Sequence, residues 1–151
     1  MVDDTRPDDE IIATIGGLVD ESSVTLAVYG HDLDPEDVSS RLGCEPSSCH
    51  RRGDRKSPQG VPARTGAWFL NLRGFAPTGP EELIRRLLMK LPPDKPRWQE
   101  LVSKFDVQLR IAIHFTAWNK GFELSPEVVS DIGKLGARVD FDLYAYGDDD
   151  A

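Results

Sequence analysis

Apolar and polar residues alternate in four stretches of the chain, and in four others apolar residues recur every three or four positions. Val24, Leu26 and Val28 alternate with Thr25, Ala27 and Tyr29, and Trp68, Leu70 and Leu72 repeat the pattern. Val107, Leu109, Ile111, Ile113 and Phe115 alternate with Gln108, Arg110, Ala112 and His114, and Val139, Phe141, Leu143 and Ala145 with Arg138, Asp140, Asp142 and Tyr144. A two-residue period predicts half-buried strands. Helical spacing appears in Val38 with Leu42, then in Leu83, Ile84, Leu87, Leu88 and Leu91. It returns in Trp98, Leu101, Val102 and Phe105, and finally in Val128, Val129, Ile132 and Leu135.

The punctuation supports these helices. Asp34-Pro35 and Ser125-Pro126 each place a side-chain acceptor before a proline at the tolerated first helical position. Gly43 and Gly136 supply the stops, and Thr78-Gly79-Pro80-Glu81 predicts a capping box opening the second helix. The first and last helices echo each other, each between two strands. Two strand–helix–strand units with a helical pair between them predict an α+β domain. Its sheet is expected to be four-stranded and antiparallel, ferredoxin-like in its split βαβ order, with helices on one face and the other face open. The domain is expected over 22–147, between an acidic N-terminal arm (1–21) and an acidic tail (148–151). Residues 44–66, with Pro46, Gly53, Pro58, Gly60, Pro62 and Gly66, have little periodicity and read as one long loop.

The chain also carries an ordered set of short motifs. They are Leu42-Gly43-Cys44-Glu45-Pro46, Arg52-Gly53-Asp54, Thr65-Gly66-Ala67-Trp68, Gly121-Phe122-Glu123-Leu124-Ser125-Pro126-Glu127 and Asp140-Phe141-Asp142-Leu143-Tyr144. In this order and spacing the chain resembles the bacterial domain-of-unknown-function family 4279, over roughly residues 23–146. Cys44 stands where the resemblance implies an aliphatic residue and His50 where it implies an aromatic one. It therefore assigns neither a role, and it implies a fold without an activity.

Composition narrows the function classes. With 151 residues, 39% hydrophobic and 29% charged, the chain has the size and balance of one globular domain. Ile11 to Val19 is too short to span a bilayer, which takes about 20 apolar residues, and acids rather than bases precede it. Two cysteines, Cys44 and Cys49, fit a reducing compartment. The expected location is the cytoplasm. A net charge of −8 argues against nucleic-acid and membrane partners.

That charge is uneven. Between Gly43 and Gly66 lie Arg51, Arg52, Arg55, Lys56 and Arg64 against Glu45 and Asp54, a balance of +3 that leaves −11 elsewhere. The basic loop is the first candidate site: His50, Arg51, Arg52, Arg55 and Arg64 could grip a phosphate or carboxylate, with Asp54 orienting an arginine. Trp68, directly after the loop, could wall a pocket, and Trp118 at a loop tip could mark a contact site. On the open sheet face Arg110, His114, Asp140, Asp142 and Tyr144 form a second candidate group, where His114 beside Asp140 or Asp142 could act as an acid–base pair. No catalytic motif is present, and Cys44, Cys49 and His50 lack the second ligand pair a structural zinc needs. No metal or cofactor is expected.

Three readings follow. The first is a non-enzymatic protein-binding module, such as a small acidic immunity or inhibitor protein steered to a basic partner. The second is a regulatory module binding a small anionic ligand through residues 50–64. The third is a hydrolase using His114. The open face could equally pair two copies of the chain.

Overall fold

A computed structural model describes residues 18–116 and 120–146. In chain order the elements are β1 (Glu21–Gly30), α1 (Pro35–Leu42), β2 (Ser48–His50), β3 (Gly66–Phe75), α2 (Pro80–Met89), α3 (Lys95–Lys104), β4 (Asp106–Phe115), α4 (Pro126–Leu135) and β5 (Arg138–Ala145). The sheet order is β2-β3-β1-β4-β5. Neighbours are antiparallel except β4 and β5, which are parallel.

The expectation of four antiparallel strands is thus corrected to a mixed, five-stranded sheet. The missed strand is β2, three residues long, inside the stretch read as loop. Three residues are too few for a period to register, and only pairing with Ala67, Trp68 and Phe69 makes them a strand. β1–α1–β2 straddles β3, and β3–α2–α3–β4 straddles β1, so two split units interlock. β5 is added at the far edge through α4. Its link from α4 is only Gly136 and Ala137, so the chain crosses directly into a parallel neighbour. The two similar sequence halves therefore end in different topologies.

The caps follow local chemistry. Asp34 Oδ1 accepts from the Glu36 N–H at 3.0 Å, and Gly43 closes α1 at φ 67°. Ser125 caps α4 through the Val128 N–H, with Gly136 at φ 66°. Helix α2 begins differently from the expected capping box. Gly79 is the N-cap and offers no side chain. Glu81 instead accepts from the Ser125 N–H, which holds its carboxyl below the usual range and ties α2 to the start of α4.

The core lies between the sheet and the helices. Val24, Leu26 and Val28 meet Trp68, Leu70, Leu109 and Ile111 from the strands and Leu83, Ile84, Leu87, Trp98 and Leu101 from the helices. Val19 is also buried, so the last residues of the expected arm belong to the domain. Gly66 is required where β3 begins: an added Cβ would stand 2.5 Å from the Leu33 carbonyl oxygen. Helix α4 packs mainly on α2 and α3 rather than on β5. The helix-side residues Phe141 and Leu143 of β5 are consequently 50% and 64% exposed. No described helix is long and apolar enough to cross a membrane.

Candidate anion site under the β2–β3 loop

Because side chains alternate across a sheet, the register assigns each candidate to a face. Trp68 faces the helices, fully buried, and its indole N–H donates to Ser39 Oγ at 3.0 Å. It anchors α1 and lines no pocket near the basic loop. Its neighbour Phe69 faces the open side, half-buried, beside His50 at 6.2 Å between ring centroids and Tyr29 at 5.6 Å. Sequence reasoning passed over Phe69, although placing Trp68 in the core already implies that its neighbour points the other way.

The loop from Arg51 to Thr65 is tied across its neck. Gly53 N–H donates to the Ala63 carbonyl and Ala63 N–H to the Asp54 carbonyl, both at 2.8 Å. Asp54 Oδ2 accepts from the Arg51 N–H at 2.8 Å. Asp54 therefore closes the turn, where the sequence suggested a partner for an arginine side chain.

This neck divides the loop's cations into two sets. Arg51 reaches Asp34 at 2.9 Å and Glu36 at 3.7 Å; Arg52 reaches Asp32 at 3.1 Å and the His31 ring at 2.7 Å. Both are spent on the acidic turn between β1 and α1. Arg55, Lys56 and Arg64 make no ion pair or side-chain hydrogen bond with the described residues. They line a cavity of about 880 Å³ between the loop and the open face, together with His50, Asp54, Val61 and Phe69. That volume falls in the range of about 300–1,000 Å³ typical of small-molecule sites.

A smaller concavity of about 510 Å³ lies on the helix side of β2 and includes Cys44 and Cys49. Both are free thiols. Cys44 packs against the core, and burial pushes its thiol up. Among the described residues no cluster of three or more His, Cys, Asp and Glu could hold a metal ion.

The second candidate group shares one face, as its register requires: Arg110 lies beside Asp140 and His114 beside Tyr144. Its members bond differently from the sequence expectation. Arg110 Nη2 donates to the Tyr29 hydroxyl at 2.7 Å and Nε to Gln108 at 3.3 Å. His114 stacks on Tyr144, with centroids 4.6 Å apart, and its Nδ1 lies 3.3 Å from the Tyr146 hydroxyl. No hydrogen bond joins His114 to Asp140 or Asp142 among the described residues. Asp140 accepts from Arg138 at 3.4 Å. Trp118 lies outside the described residues.

The negative charge outside the basic loop is itself uneven. Residues 1–17 hold five acids and one base, and residues 147–151 three acids, so seven of the eight net negative charges lie in these two segments. The described residues carry 18 acids against 17 bases. The domain itself is nearly neutral, and five of its 17 bases lie in the loop between β2 and β3.

The chain matches the family model named domain of unknown function, DUF4279, over residues 20–146. It belongs to that family. The match spans the domain from the start of β1 to the end of β5, including the loop that bears the cations. No curated protein and no solved structure matches this chain.

Proposed function

We propose that this DUF4279 domain is a binding module for a small anionic ligand, taken up between the β2–β3 loop and the open sheet face. The observation that carries the reading is the division of the loop's cations. Arg51 and Arg52 are neutralised by Asp32, Asp34 and Glu36, whereas Arg55, Lys56 and Arg64 surround a cavity with no ion-pair partner among the described residues. Guanidinium groups present planar forks to phosphate or carboxylate oxygens, and an ammonium adds a compact charge. Two of the loop's cations brace it, and three face the site. Ligand binding stabilises the native state by mass action, so titration with phosphate, nucleotides and anionic metabolites is expected to raise the melting temperature. Replacing both Arg55 and Arg64 with alanine should remove that rise and change the melting temperature of the free protein little. A panel that produces no shift in the wild-type protein would end the proposal.

The acidic-inhibitor reading rests on a different feature. Seven net negative charges lie outside the described domain, where they could steer a basic protein partner by long-range attraction. Affinity capture at low and moderate salt tests it. A stoichiometric basic protein released as salt rises supports an inhibitor, and recovery of the chain alone counts against it.

A further inference from the structure

We infer that the anion is carried on a flat-ringed, hydroxyl-bearing molecule, a nucleoside monophosphate, with its ring laid on Phe69. This rests on the anion-binding reading above and specifies its ligand.

Three features of the cavity point to that class. The first is size. At about 880 Å³ the space suits a molecule of many atoms, whereas a bare phosphate would leave most of it as water. The second is the floor. Phe69 lies half-exposed on the open face and has no parallel ring against it among the described residues. Tyr29 meets it edge-on at 78°, and His50 is tilted at 49°. His114, at the other end of the same sheet, is by contrast stacked at 8° on Tyr144. An unstacked ring on a cavity wall is a platform for a planar group, and open sheet faces serve bases in this way elsewhere. Val61, 83% exposed at the rim, adds an apolar edge.

The third feature is polarity. Arg55, Lys56 and Arg64 supply three positive charges with no ion pair among the described residues, more than a single carboxylate neutralises and suited to a dianionic phosphate. Among the described residues Asp54 is the one acid on the wall. One of its oxygens takes the Arg51 N–H, and the other remains an acceptor. It would repel an anion placed beside it and would accept a hydrogen bond from a sugar hydroxyl. A ring, a hydroxylated sugar and a phosphate thus match a ring platform, an acceptor and a cationic cluster.

The test is calorimetric titration of the full chain with inorganic phosphate, ribose 5-phosphate and the four ribonucleoside 5′-monophosphates. At least one nucleotide should bind about tenfold or more tightly than ribose 5-phosphate, the increment expected of one stacked base. In Phe69→Leu, with the fold checked by circular dichroism, that nucleotide should fall to the level of ribose 5-phosphate, whose own affinity stays unchanged. Asp54→Asn would disturb the turn as well as the acceptor, so Phe69 carries the decision. Equal affinity for ribose 5-phosphate and every nucleotide would overturn the ring inference and leave the anion site standing. A nucleotide preference that survives Phe69→Leu would place the ring elsewhere. Binding of none of these probes would overturn both.

Discussion

The two ends of the open sheet face carry similar residue types and use them in opposite ways. At the β4–β5 end, Arg110 is held by Tyr29 and Gln108, His114 by Tyr144 and Tyr146, and Arg138 by Asp106 and Asp140. Arg110, His114, Arg138 and Asp140 are thus each engaged by a neighbour there. At the β2–β3 end, Arg55, Lys56 and Arg64 face a cavity with no ion pair among the described residues, and the Phe69 ring beside them carries no parallel-stacked ring from those residues. An arginine or histidine on an open sheet is therefore weak evidence of a site; what matters is whether its hydrogen bonds and ring faces are already taken. The same contrast recurs within the loop, between Arg51 and Arg52 on one side of the neck and Arg55 and Arg64 on the other.

Substitutions can break this comparison, and the largest effect is expected on the helix side of the sheet. Trp68→Ala removes a fully buried ring and its bond to Ser39, and should lower the unfolding free energy by about 3–5 kcal/mol. The measurement is urea denaturation. A loss below about 1 kcal/mol would mean that Trp68 is not the core anchor that leaves Phe69 free on the opposite face.

A smaller loss is expected from Arg110→Ala, which leaves the half-buried Tyr29 hydroxyl and Gln108 without their donor. About 1.5–3 kcal/mol is the usual scale for a hydrogen bond to a charged group. Anion affinity should be unchanged, because Arg110 already serves the sheet. If affinity falls more than tenfold while stability holds, the two ends of the face form one site.

Smallest is Arg52→Ala, since exposed ion pairs contribute at most about 1 kcal/mol. Its pair with Asp32 is also screened by salt, so the difference from wild type should shrink in thermal melts at high ionic strength. A salt-independent loss would show that Arg52 supports the loop through packing rather than charge.

Much of the architecture was legible from the order of residues. Period-two runs marked four of the five strands, and the Asp34-Pro35 and Ser125-Pro126 caps with Gly43 and Gly136 bounded two helices closely. These features depend on backbone chemistry within a few residues, which any window of sequence contains. β2 escaped because it exists only through its pairing with β3, and the capping box at Thr78 failed because the helix begins one residue later, with Gly79 as its N-cap, while Glu81 pairs across the fold with Ser125.

Of the candidate site, the sequence by itself determined the inventory: a loop rich in arginine, an acid within it, an aromatic pair after it, and a chain whose excess negative charge lies mostly near its ends. Tertiary structure alone decided which members are available. Arg51 and Arg52 are neutralised by Asp32, Asp34 and Glu36, from a turn brought alongside when α1 packs on β3. Phe69 rather than Trp68 faces the cavity because the pleat sends neighbouring side chains to opposite faces, and the packing of the helices determines which face is buried. Charge pairing and burial depend on distance through space, and distance along the chain does not specify it.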